Sequence, residues 1–148
     1  MQDFMEEALK EAKKAYKKDE VPVGCVVVCD GKIIARAHNS KISDNDSLAH
    51  AEIKALKKAQ KFLKTKYLYD CEMFVTLEPC AMCAGAIVNA RLGKLHFAVK
   101  EPKTGCCGSV CNLVNGTFNH TAEVFCGEKE EEAKKLLQEF FKEKRRDK

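Results

Sequence analysis

The sequence contains no apolar run approaching the ~18 residues that a membrane-spanning helix needs. Its longest apolar stretches lie around Val21–Cys29 and Ala81–Val88. The opening Met1-Gln2-Asp3-Phe4-Met5-Glu6-Glu7 has no basic segment leading into an apolar one, so an intracellular, cytoplasmic protein is expected. No Pro/Gly/Ser-rich linker, internal repeat or low-complexity tract divides the chain, and 1–148 is read as a single domain. At 148 residues, 45% hydrophobic and 32% charged, the composition is that of a globular chain able to bury one core. Disulfide pairing is not expected either: nine cysteines is an odd count, and reduced thiols with some metal ligands fit better. Cys25, Cys29, Cys71 and Cys126 stand among Val, Met and Phe and read as small core residues. The formal charge of +4 permits an anionic partner without requiring one.

Periodicity supplies the elements. Apolar positions at Phe4, Met5, Ala8, Leu9, Ala12 and Ala15–Tyr16 predict a helix over 2–18. Strands are predicted at Cys25–Cys29 and Lys32–Ala37, joined by the hairpin signal Asp30-Gly31. Residues 38–47 read as a loop. A helix follows from about Leu48 to Leu63, a strand over Glu72–Leu77, and a helix from about Pro79 to Ala90 with the proline in its first turn. Lys94–Val99 and Ala122–Cys126 read as strands, Lys103–Gly116 as a loop carrying a short helix, and Glu128–Lys144 as a closing amphipathic helix. A hairpin followed by alternating helices and strands predicts an α/β chain. Its fold is a three-layer α/β/α sandwich around a mixed sheet of about five strands.

The chemistry concentrates in His50-Ala51-Glu52 and Pro79-Cys80-Ala81-Met82-Cys83, each at a predicted helix start. Cys80 and Cys83, three apart, share one helical face and can hold one ion. With His50 as third ligand, the fourth tetrahedral position stays open, as in a catalytic zinc site. Two thiolates neutralise the ion, so a nearby general base is needed to help ionise a bound water, and Glu52 is the candidate. Positions two apart diverge on a regular helix, so His50 must lie near the cap for both to reach one point. There is no second Cys-x-x-Cys to complete an all-cysteine structural site, and the adjacent Cys106-Cys107 suit a shared tetrahedron poorly. The His-x-Glu … Pro-Cys-x-x-Cys pattern is matched here to the known signature of zinc nucleobase deaminases.

With Val21-Pro22-Val23-Gly24, Asn39, Thr76-Leu77-Glu78-Pro79-Cys80 through Ala86, Lys103-Thr104-Gly105, Gly108-Ser109, Asn119-His120 and Phe140-Phe141 before a basic tail, nearly the whole sequence resembles the bacterial tRNA-specific adenosine deaminase family. The resemblance implies a cytidine deaminase-like fold, a homodimer, one Zn2+ per subunit and no organic cofactor. It also implies conversion of the wobble adenosine of a tRNA anticodon stem-loop to inosine. Carried over, His50, Cys80 and Cys83 hold zinc, Glu52 shuttles protons and Asn39 meets the flipped nucleoside. Glu101 stands where the family usually has Asp, followed by Pro102, and Cys106-Cys107 replace small residues; the anticodon-loop role of Glu101 is where this chain departs. Lys103, Phe141, Arg145 and Arg146 are the further RNA-contact candidates; only four of the 26 basic residues are Arg, and two are adjacent here. Lysines 54, 57, 58, 61, 64 and 66 read as a solvated helix face, and Phe140 as a core residue. Two alternatives share these residues: a deaminase of a free nucleobase or nucleoside, and a non-catalytic RNA-binding subunit. The intact Glu52 argues against the second.

Overall fold

The computed structural model describes residues 2–146. It contains α1 (Phe4–Lys17), β1 (Gly24–Cys29), β2 (Lys32–His38), α2 (Ala51–Leu63), β3 (Cys71–Leu77), α3 (Ala81–Ala90), β4 (Lys94–Val99), β5 (Glu123–Cys126) and α4 (Glu130–Arg146). The five strands form one sheet in the order β2-β1-β3-β4-β5. β1 runs antiparallel to both β2 and β3, whereas β3, β4 and β5 are parallel, so the expected mixed sheet is present.

Each strand sends alternate side chains to opposite faces. On β1 and β3, Cys25, Val27, Cys71, Met73 and Val75 enter one apolar layer with Ala51, Ala55, Leu56 and Ala59 of α2 and Ala84, Ile87 and Val88 of α3. Val26, Val28 and Phe74 enter the other layer with Met5, Ala8 and Leu9 of α1 and Ala133 of α4. β1 is therefore buried on both faces, which is why Cys25-Val26-Val27-Val28 reads as an unbroken apolar run. The β1–β2 turn places Asp30 at φ 51° and Gly31 at φ 74°, the left-handed pair that a two-residue hairpin demands. Asp3 caps α1, its carboxylate accepting the Glu6 N–H at 3.0 Å.

Four sequence expectations are corrected. The Lys103–Gly116 region has no helix; it is a turn-rich loop with isolated bridges Cys107↔Asn112 and Asn115↔Thr121. α2 begins at Ala51 rather than Leu48, because His50 is its extended cap residue (φ −77°, ψ 148°). α3 begins at Ala81 with Cys80 as cap, which puts Pro79 before the helix and not in its first turn. Cys126 is exposed: it ends β5, a short strand at the edge of the sheet. Cys25 and Cys71 are buried and Cys29 half-buried, while Phe140 is buried edge-on against Tyr16 with ring centroids 5.7 Å apart. Among the described residues no helix is long and apolar enough to cross a membrane.

Ile87 is fully buried and seats α3 on the sheet. Ile87→Ala is expected to lower the unfolding free energy by about 2–5 kcal/mol in urea titration. A loss under about 1 kcal/mol would show that α3 is held by other contacts.

Candidate metal centre and adjoining groove

Two helix starts converge at the edge of the sheet where β2 and β3 end. His50 leads α2 and its carbonyl accepts the Lys54 N–H; Cys80 leads α3 and its carbonyl accepts the Ala84 N–H. Cap residues have extended backbone, so the His50 side chain is not bound to the helical spacing, while Glu52 sits in the first turn. That solves the geometric problem of two useful side chains two positions apart. Both helix N-termini also direct partial positive charge toward the site, which favours thiolates.

His50 Nδ1 lies 3.8 Å from Cys80 Sγ and 3.5 Å from Cys83 Sγ. Among the described residues, these three form the one group of three or more His, Cys, Asp or Glu whose ligand atoms all fall within 4.8 Å of one another. Bonds of about 2.1 Å to nitrogen and 2.3 Å to sulfur around one tetrahedral ion require N···S separations of roughly 3.6 Å. One imidazole and two sulfurs are also a donor set suited to zinc. The residues therefore fit the metal that the sequence implies. Without an ion, the Cys80 thiol is held down to about 3 by hydrogen bonds from Cys83 and His50, and Cys83, facing that thiolate, is driven far above the usual thiol range. The hydrogen bond to Cys80 likewise raises His50.

Glu52 is 4% exposed and lines the same cleft of about 160 Å³ as His50 and Cys80. Burial pushes its carboxyl up to about 7, against the pull of its own backbone N–H and of His50. Asn39 also lines this cleft and is buried. Its Oδ1 accepts the Ala51 N–H at 2.8 Å, satisfying one of the free donors at the start of α2, so the residue locks the loop after β2 to the metal-site helix.

The remaining candidates divide into two sets. Glu101, Phe141 and Arg145 line a groove of about 390 Å³ between α4 and the end of β4, with Lys100, Lys134 and Leu137. Val21 and Leu77 border both this groove and the metal-site cleft, so the two lie side by side. Phe141 is 43% exposed, in contrast to the buried Phe140. Lys103 and Arg146 are exposed and border neither space. Glu101 Oε1 accepts the Lys103 N–H at 3.0 Å, so the longer carboxylate closes the turn that presents Lys103. Of the α2 lysines, Lys57, Lys58, Lys61 and Lys64 are exposed as expected, but Lys54 is half-buried and donates to His38 O and Ser40 Oγ.

Sequence reasoning missed Lys41 and Thr104, which line the metal-site cleft, and the buried carboxylates Glu20 and Glu78 beneath their loops. Glu20 accepts hydrogen bonds from Ile42 N, Ser43 N and Ser43 Oγ at 3.1, 2.7 and 2.9 Å. Glu78 accepts from Glu101 N, Cys107 N and Ser109 N, each at 3.0 Å, and from the Ser109 hydroxyl. Burial acts to raise both groups. The donors outweigh it and hold both carboxyls below the usual range. Gly105 is required here, since a Cβ at that position would lie 2.4 Å from Glu78 Cδ. The available signal was Glu78 inside a largely apolar stretch, where an unpaired carboxylate is costly; Glu20, directly after Lys17-Lys18-Asp19, offered none.

The family model described as MafB19-like deaminase matches residues 1–145. A tRNA-specific adenosine deaminase of Bacillus subtilis is 49% identical over 146 residues, covering 98% of this chain and 91% of that relative. A solved structure from work on A-to-I editing by tRNA:A34 deaminases at the wobble position superposes with a TM-score of 0.86 at 42% identity, covering 90% of this chain and 98% of that one. Guanine deaminase from Nitrosomonas europaea superposes with a TM-score of 0.80 at 26% identity, covering 93% of this chain and 82% of that one.

Asn39 supports a stability prediction. Asn39→Ala should lower the unfolding free energy by about 1–2 kcal/mol, and Asn39→Asp, which keeps the accepting oxygen, by much less. Equal losses in urea titration would show that the Ala51 hydrogen bond is not what matters.

Proposed function

The chain belongs to the tRNA-specific adenosine deaminase family, and on that premise we propose that it hydrolyses the wobble adenosine of a tRNA anticodon loop to inosine. The observation that carries the preference for RNA is that the metal-site cleft shares two wall residues, Val21 and Leu77, with the adjoining groove of Phe141, Arg145 and Glu101. A free base needs only the small cleft. A nucleotide embedded in a strand needs room beside it for its neighbour, an aromatic edge to stack on and a cation for phosphate. The extruded adenosine comes from a loop that is already single-stranded, so little stacking is lost.

His50, Cys80 and Cys83 would hold one Zn2+ per chain. A zinc ion there supplies a water acidified to near neutrality as the nucleophile. Glu52, buried in the same cleft, accepts a proton from the attacking water and delivers it to purine N1. The water oxygen bonds to C6; the Glu52 carboxylate then takes the second proton, from the new C6 hydroxyl, and passes it to the amine as the C6–N6 bond breaks, releasing ammonia and inosine. No electrons are exchanged, so no organic cofactor is called for. The Asn39 Oδ1 is engaged by Ala51, which leaves its NH2 group as the donor it can offer the nucleoside. Lys103 and Arg146, exposed cations outside the cleft, are assigned to phosphate contacts.

A homodimer is part of this reading. It is supported by a groove of about 370 Å³ between α2 and α3, whose apolar wall of Ile53, Leu56, Tyr67 and Ala86 is rimmed by Lys57, Gln60 and Asn89. A tRNA substrate places the working compartment in the cytoplasm.

Glu52→Ala should retain fold and one equivalent of metal while losing turnover by about 10²–10⁴-fold. Cys80→Ala should lose the metal itself. Near-normal inosine formation by the first variant would remove Glu52 from the mechanism, and full metal content in the second would remove Cys80 from the ligand set. Release of ammonia from free guanine but not from an anticodon stem-loop would decide for the nucleobase alternative.

Arg145→Ala combined with Arg146→Ala should flatten the dependence of log Kd for stem-loop on log salt by about 0.7–1 for each phosphate that is no longer neutralised. An unchanged slope in the folded double variant would assign this end of α4 a purely structural part.

A further inference from the structure

The two loops that border the metal-site cleft are each seated on one buried carboxylate. On one side Glu20, 2% exposed, holds residues 42–43 through two N–H groups and the Ser43 hydroxyl. This fixes the loop carrying Lys41. On the other side Glu78, 3% exposed, gathers Glu101 N, Cys107 N, Ser109 N and the Ser109 hydroxyl, fixing the loop carrying Lys103 and Thr104. Neither loop has a helix or a strand of its own to satisfy these N–H groups. Each glutamate also directly precedes residues at the site: Val21 and Val23 line the cleft, and Pro79 leads into Cys80.

We propose that Glu20 and Glu78 are paired positioning residues that hold the two lips of the cleft, bearing Lys41 on one side and Lys103 and Thr104 on the other, in the arrangement that accepts an RNA loop. They act on substrate capture and not on metal binding or proton transfer. The inference rests on the RNA-deaminase reading above. The oxygens of both carboxylates are already occupied by donors of the loops, so they are not groups that react with substrate. Replacing either by Gln turns one accepting oxygen into an NH2 group facing N–H donors, which releases that loop at its anchor. The rest of the cleft, His50, Cys80, Cys83 and Glu52, hangs on α2 and α3 and does not depend on these bonds.

The test compares Glu20→Gln and Glu78→Gln with the parent, and with Glu72→Gln as a half-buried-carboxylate control, paired with His96 near the start of β3, far from both loops. Hydrogen exchange should quicken at 42–43 in the first variant and at 101, 107 and 109 in the second. For an anticodon stem-loop, KM should rise about tenfold in each, with kcat within about threefold and zinc content unchanged; the control should alter neither KM nor those amides. Ser43→Ala and Ser109→Ala, which remove one hydrogen bond and keep the carboxylate, serve if a Gln variant does not fold, and should raise KM about threefold. Unchanged KM despite faster loop exchange would overturn the proposal, as would loss of zinc or a fall confined to kcat. If the parent itself forms no inosine in the stem-loop, it is the RNA-deaminase reading that fails, and the exchange pattern still shows whether the two glutamates hold the loops.

Discussion

Three ligand atoms from two helices must meet at one point, and the rest of the site is arranged around that demand. A side chain inside a helix is committed to the helical spacing, so His50 and Glu52 could not both reach the same place from regular positions. The cap position removes the conflict. His50 stands outside α2 with extended backbone, and Cys80 does the same for α3, one turn before Cys83. The sheet supplies the alignment: the antiparallel β1–β3 pairing sets β2 and β3 to end at the same edge, where both helices start. Asn39 ties the end of β2 to the first turn of α2 through the hydrogen bond from the Ala51 N–H.

Buried glutamates separate positioning from chemistry in this fold. Glu20 and Glu78 are surrounded by hydrogen-bond donors, and those donors overcome burial and keep the carboxyls ionised. Glu52 is equally buried but lacks such a cradle; burial dominates and raises it to about 7. A carboxyl fully used by backbone N–H groups has no capacity left to exchange protons, whereas one held mainly by packing does. The same residue type at three places around one cleft thus serves two different ends, set by what surrounds it.

Much of the architecture was legible because it rests on local periodicity. The apolar runs of β1 and β3, the amphipathic stripe of α1 and the Asp30-Gly31 turn are properties of neighbouring residues, and they match the observed elements closely. The failures share one cause. The loop after Lys103 lacks an apolar period, and its N–H groups are satisfied by Glu78, 23 to 31 residues earlier, instead of by a helix. Cys126 has apolar neighbours, but edge position leaves it exposed, and edge position is a property of sheet order.

The sequence by itself determined the elements and singled out the candidate set: His50, Glu52, Cys80 and Cys83 stand out because ligand chemistry demands those residue types at those spacings beside helix starts. Only the tertiary structure decided that the cleft lies beside a groove lined by Phe141, Arg145 and Glu101, and that Lys103 and Arg146 stand outside both. It alone revealed Glu20 and Glu78 as the anchors of the bordering loops. Those relations join residues far apart in the chain by single hydrogen bonds and shared walls, which leave no period, no spacing rule and no composition bias for a sequence to display.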